Sequence, residues 1–257
     1  MWGAIGVVAL VALVYGGILF YVNVINDSPD KLDESDLSAA VAATTLPTTD
    51  PTTGSSDTEP PAATDPATTG PATTDAPAAD PAAGFDGDWS PTNSSEFGYR
   101  VEEVLAGVNT TAVGRSSDIE GLLTIDGTTA TAVEIEVQVA DITSDDSRRD
   151  GRFSGAIMNS SEFPTATFIL TEPIEFGVIP TDGEQVVATA TGDLTLRGQT
   201  NAVTFDVTAE ATADRIGVLG SIPVLFSDYG IDNPSFGAVK TEDNGLVEFV
   251  LVFERDA

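Results

Sequence analysis

The chain has neither cysteine nor histidine among its 257 residues. Disulfides and thiolate nucleophiles are therefore excluded, as are a histidine general base and the usual zinc and haem ligands. A Ser-His-Asp triad cannot be assembled, so an enzyme would have to work through carboxylates, Tyr, Lys or hard-cation chemistry. Missing cysteine does not fix a compartment. Basic side chains are also scarce, with Lys+Arg 10 against Asp+Glu 41 and a formal net charge of -31. No basic footprint is available for nucleic-acid phosphates or for docking on anionic lipid headgroups. What remains is an acidic, self-repelling surface, or one adapted to salt. A long amphipathic helix is lacking too; the one helical candidate is about two turns within residues 146–158.

The first feature present is apolar. Residues 1–26 carry no charged side chain, and residues 2–22 (WGAIGVVALVALVYGGILFYV) are almost continuously apolar. Roughly 20 such residues span a bilayer as a helix, and Trp2 and Tyr21 sit where interface aromatics belong. A cleaved signal peptide would want a basic start, a shorter apolar core and a small-x-small site, all missing at the end of this run. We expect an N-terminal transmembrane anchor over residues 1–26, with a single pass through the cell membrane and the remainder outside. Residues 27–88 are rich in Thr, Ala, Pro and Asp. From Thr48 onward they carry almost no large apolar side chain, so they are expected to be a disordered linker acting as a stalk. The Thr/Pro density resembles O-glycosylated stalks; an unmodified spacer fits equally well.

Periodicity begins at Trp89. Phe97, Tyr99 and Val101 alternate with Gly98 and Arg100, and residues 119–125 form a short apolar run before Asp126-Gly127. Val133, Ile135, Val137 and Val139 alternate with Glu134, Glu136 and Gln138. Residues 165–171 read as a strand, and residues 185–196 as one long strand or two broken at Gly192-Asp193. Val203, Phe205, Val207 and Ala209 share one parity, as do Ile216, Val218, Ile222, Val224 and Phe226, and later Val247, Phe249, Leu251 and Phe253. Alternation of this kind marks half-buried strands, and many of them with short turns point to a sandwich or antiparallel barrel. The expected fold is all-β, an antiparallel barrel of about eight strands with one short helix over residues 89–257. Such a barrel has an interior just wide enough for packing or for one apolar ligand.

Several segments in order carry a resemblance. Trp89-Ser90 precedes the first strand. Gly121, Leu123 and Ile125 follow on the second. Ser144-Asp145-Asp146 precedes Arg149-Asp150-Gly151-Arg152-Phe153. Then come Glu162-Phe163-Pro164-Thr165-Ala166-Thr167-Phe168, Gly192-Asp193-Leu194-Thr195-Leu196-Arg197-Gly198-Gln199-Thr200, and Phe226-Ser227-Asp228-Tyr229-Gly230-Ile231. Together these resemble the YceI-like family, exported bacterial proteins with a lipocalin-like barrel that bind polyisoprenoid chains. The resemblance covers residues 89–257 and none of the first 88. Family members often carry histidine near the first strand and in the L-T-x-x-G turn; this chain has none, and Arg197 precedes Gly198.

The resemblance implies an apolar, isoprenoid-type lipid or a quinone as ligand, with no cofactor and no catalysis. On the apolar parity, the candidate cavity-lining residues are Ile135, Val137, Phe168, Leu194, Phe205, Val207, Ile222, Val224, Phe249 and Leu251; ordinary core packing accounts for each of them equally well. Arg148, Arg149, Asp150 and Arg152 form the densest basic patch, with Phe153 and Phe163 flanking it. They are candidates for the cavity mouth, where Arg suits a headgroup or diphosphate. The competing reading is that Asp150 and one Arg brace the loop. Asp141, Asp145, Asp146 and Asp150 lack the D-x-D-x-D-G spacing of a calcium loop. A ligand-free, packed barrel serving as an envelope stress or interaction module is the alternative function. A carboxylate-based hydrolase is a third, with no segment that predicts its paired acids. Oligomeric state is left open.

Overall fold

The computed structural model describes residues 28–43, 84–180 and 183–255. The expected anchor over residues 1–26 and most of the expected linker lie outside the described residues. Among the described residues no helix is long and apolar enough to cross a membrane.

The alternating segments form strands β1 (Gly87–Pro91), β2 (Glu96–Leu105), β3 (Val108–Ser116), β4 (Ile119–Asp126), β5 (Thr129–Gln138), β6 (Thr143–Ser144), β7 (Thr165–Glu172), β8 (Ile174–Glu175), β9 (Gln185–Leu196), β10 (Gln199–Ala211), β11 (Arg215–Leu225), β12 (Val239–Thr241) and β13 (Asn244–Arg255). The pairing order β1-β4-β5-β7-β9-β10-β11-β13 returns to β1 and closes an eight-stranded antiparallel barrel. The remaining strands continue or flank these. β2 prolongs β1, β3 leads into β4, β6 follows β5 and pairs β3, β8 follows β7 and pairs β5, and β12 pairs β2. β13 closes the ring twice over, pairing β2 through Leu246–Val250 and β1 through Phe253–Arg255. The break between β1 and β2 is stitched to it by the buried Ser95, whose hydroxyl donates to the Val252 carbonyl (3.2 Å) and accepts from the Val252 N–H (2.9 Å). Hydroxyl and backbone thus satisfy each other where the ladder is interrupted.

The barrel has two distinct ends. The upper end carries the β2–β3 turn, the β9–β10 turn, and the long connections 139–164 and 226–243. The lower end carries the β4–β5 and β10–β11 turns and the connection 173–184. The expected short helix is α2 (Ser147–Arg152), prolonged by a π-helical turn over Phe153–Ile157. Inside, Phe205 meets Phe168 and Phe249 edge-on, with centroids 5.5 and 6.1 Å apart. Phe249 lies against Gly220, where a Cβ would approach its ring to 2.4 Å, so this inner position on β11 must stay empty for the aromatic to fit.

One expectation is corrected. Residues 27–88 were expected to be disordered throughout, yet residues 28–43 are ordered and lie as a strap on the outside of the barrel. The strap contains α1 (Glu34–Ala42), started by a capping box: the Asp33 carboxylate accepts from the N–H groups of Ser35 and Asp36, and Asp36 accepts from the Asp33 N–H. These hydrogen bonds, led by the Ser35 hydroxyl, hold the Asp33 carboxyl below its ordinary range. Leu37 and Val41, one helical turn apart, face the barrel with Leu32 and pack on Val250, Val252 and Leu219. At Gly217 an added Cβ would come within 2.3 Å of Val41, so α1 sits directly on the β11 backbone.

Outward-facing polar groups fix the rest of the strap. Arg100 donates to the Pro29 carbonyl (2.7 Å) and Arg115 to that of Asp30 (2.6 Å), while Ser28 donates to the Thr111 carbonyl and Arg215 to that of Ala43. Ser38 donates to Glu210 at 2.6 Å. Arg100 and Arg115 are held by Glu248, whose side chain is 0% exposed and lies 3.1 and 2.7 Å from them. Residues 28–43 of the expected linker thus sit on the barrel, and its residues 44–83 lie outside the described residues.

Candidate ligand-binding cavity

Inward-facing residues of the eight strands leave two adjoining chambers. The lower, of about 160 Å³, is walled by Leu123, Ile135, Phe168, Leu194, Phe205 and Phe249, among others. The upper, of about 490 Å³, reaches from Val224 and Phe226 to a rim of Asp146, Arg148, Arg149 and Arg152. Phe97, Val137, Ala166, Leu196 and Val247 line both and form the waist between them. A single water needs about 10–15 Å³ of such space, so the barrel is far from filled.

All ten residues read from strand parity face these chambers. Ile135, Phe168, Leu194, Phe205, Val207, Ile222, Phe249 and Leu251 line the lower one, Val224 the upper, and Val137 both. The parity that hides apolar groups from water is the one that lines the barrel. Phe97, Tyr99, Leu123 and Phe236 also line the chambers. The first three lie on alternating segments and were legible there; Phe236 sits in an irregular connection with no periodic signal.

The mouth residues divide. Arg148, Arg149, Arg152 and Phe153 line the upper chamber. Phe153 stacks on Tyr99 with ring centroids 4.4 Å apart. Arg152 lies over the Phe236 ring at 4.4 Å and donates to the Pro234 carbonyl. Asp150 and Phe163 are not among the lining residues. The Asp150 carboxylate accepts from the N–H and hydroxyl of Ser144 (2.8 and 2.6 Å), so it braces the loop through Ser144 and not through an arginine. Phe163 packs beneath the β9–β10 turn, where a Cβ on Gly198 would come within 2.6 Å of its ring.

The rim arginines have acidic neighbours. Arg148 pairs with Asp146 at 2.7 Å, and hydrogen bonds from the Arg148 side chain and backbone hold the Asp146 carboxyl down at about 2. Arg149 pairs with Asp145 and lies 3.9 Å from Glu103. Burial opposes its charge, but Asp145 and Glu103 prevail and raise it. Burial pushes Glu103 up despite Arg149, and pushes Tyr99 up to about 12. Asp146 also caps α2 by accepting from the Arg148 N–H. An oxyanion replacing Asp145 or Asp146 as an arginine partner would meet fork-shaped donors at the chamber rim.

Comparison with known proteins decides the family. Residues 90–253 match the YceI-like domain. The chain belongs to the YceI-like family. It is 32% identical over 127 residues to a UPF0312 protein of Pseudomonas aeruginosa, covering 46% of this chain and 62% of that one. It is 28% identical over 130 residues to a UPF0312 protein of Pseudomonas putida, covering 47% of this chain and 64% of that one. The matches thus span less than two thirds of these curated relatives. A solved polyisoprenoid binding domain from Saccharophagus degradans, implicated in plant cell wall breakdown, shares the fold at a TM-score of 0.53 and 14% identity; the match covers 66% of this chain and 98% of that domain. The absence of histidine therefore does not disturb the YceI-like barrel.

Proposed function

We propose that this chain is a membrane-anchored, extracytoplasmic lipid-binding module that holds an isoprenoid-type apolar chain, such as a quinone tail or polyprenol, inside its barrel without catalysis. The observation that carries the reading is the pair of adjoining chambers, apolar below and rimmed by three arginines above. The tail would occupy the lower chamber and pass the waist, with the polar head near Arg148, Arg149 and Arg152. Burying hydrocarbon is favourable by about 0.8 kcal/mol per CH₂, or about 4 kcal/mol per five-carbon isoprene unit. Three or four units would therefore offset much of the roughly 4–15 kcal/mol cost of association. The polyisoprenoid binding ascribed to the Saccharophagus degradans domain supports the same ligand class. The rival packed-barrel reading calls for a filled interior, and the two chambers tell against it.

The test is native mass spectrometry of the full chain, purified in detergent and then titrated with a quinone and a polyprenol. An adduct lost on denaturation, or saturable binding of either lipid, supports the carrier reading. A bare mass together with no binding of either overturns it.

A further inference from the structure

The strap determines how the barrel is presented to a membrane. We infer that the upper end of the barrel, with its arginine-rimmed mouth, faces the lipid bilayer. This rests on the membrane-anchor reading of residues 1–26.

The geometry is one of reach. Ser28 is fixed to the Thr111 carbonyl on β3. Thr111 pairs with Glu102, and the β2–β3 ladder ends at Leu105–Val108, so the strap begins about 10 Å along the strand from the upper end. In the other direction the composite strand runs from Glu102 to Gly87, about 50 Å along its path to the lower end. Pro29 and Asp30 are held by Arg100 and Arg115, and the strap then descends to Ala43, bound by Arg215 at the start of β11. Only residues 23–27 separate the apolar run from Ser28. Five residues reach at most about 18 Å even when extended. That length carries the chain past the upper rim but not to the lower one, so a bilayer holding residues 2–22 is met by the upper end.

Reach, not apolar exposure, sets the orientation, since exposed apolar side chains occur at both ends: Phe236 beside the Arg152 guanidinium and Leu225 at the upper end, Val178 and Val187 at the lower. Arg148 extends from the upper rim, its side chain 83% exposed. An apolar chain would enter the upper chamber from the bilayer without crossing bulk water.

The absence of cysteine makes the test clean, because one introduced thiol is labelled alone. Ser161→Cys lies on the exposed upper connection and Ala213→Cys in the exposed lower β10–β11 turn. Each full-length variant is labelled with a fluorophore and reconstituted into phosphatidylcholine vesicles carrying a nitroxide on the lipid headgroup. The expected result is that both variants float with the vesicles, and that the label at 161 loses most of its fluorescence while that at 213 loses little. Flotation with equal or reversed quenching overturns the orientation and leaves the anchor standing. Failure to float overturns both.

Discussion

At the residue scale, the buried charges outside the barrel and the titrating groups inside it behave differently. Glu248 sits between Arg100 and Arg115 with no exposure. Removing one partner of such a group leaves uncompensated buried charge, so Glu248→Gln is expected to cost about 3–5 kcal/mol in urea unfolding. Tyr99 stacks on Phe153 at the upper chamber and is pushed up to about 12 by burial. The folded state then keeps its phenol proton where the unfolded chain has lost it. Its contribution to stability is whole below pH 10, and falls as pH rises from 10 toward about 12. A spectrophotometric titration of phenolate absorbance, compared with that of Tyr99→Phe, checks this: the variant should lack one phenolate step at about 12. Ala166 lies at the waist between chambers. Ala166→Trp should narrow the passage and weaken binding of a long polyprenol at least about tenfold, while a chain of two isoprene units is little affected, since each further CH₂ excluded forfeits about 0.8 kcal/mol. Titration with the two chain lengths and a thermal melt of the variant separate blocked passage from lost folding.

At the element scale, the strap is the part most open to perturbation. Leu37→Asp would place a carboxylate against Val250 and Val252 and should undock α1 while the barrel stays folded. Hydrogen exchange would then rise over residues 28–43, with the inner strand ladders still protected; coincident loss of protection in β9 and β10 would mean that the strap is integral to the barrel. The strap also marks where the sequence misleads. The strand readings of β5, β7, β9, β10, β11 and β13 placed all ten inner residues, because a closed barrel demands one apolar face on every strand. Two apolar residues at i and i+4, Leu37 and Val41, behind an Asp33–Asp36 box are a short signal inside a Thr- and Ala-rich segment. They gain their hold only from Gly217, Leu219 and Val250, which are distant in sequence. For the same reason β13 carried a second, unread message: on its outer parity Val250 and Val252 are buried beneath the strap, and Glu248 is buried between Arg100 and Arg115. Asp150, read as a mouth residue or as a loop brace paired with an arginine, braces the loop through Ser144 instead.

At the scale of the whole molecule, charge opposes compactness. A net charge of -31 repels itself across the folded surface, and salt screens that repulsion over a Debye length of about 10 Å at 0.1 M. The midpoint of thermal unfolding is expected to rise as sodium chloride increases from millimolar to molar concentrations. A scan of melting temperature against ionic strength checks this, and a falling midpoint would show that ion pairs such as Arg100–Glu248 outweigh the general repulsion.

β13 both seals the ring and bears the strap, and it stands at the far end of the chain from β1, β2 and the strap itself. A nascent chain therefore emerges from the ribosome with β1, β2 and β11 as open edges and α1 without a seat, and no order of synthesis lets the N-terminal pieces mature early. Contacts this distant in sequence are slow to form, and unpaired edges invite pairing with other chains. Biogenesis must keep some 150 residues from misassociating until the closing strand arrives, which favours handling as an unfolded chain over folding in step with translation.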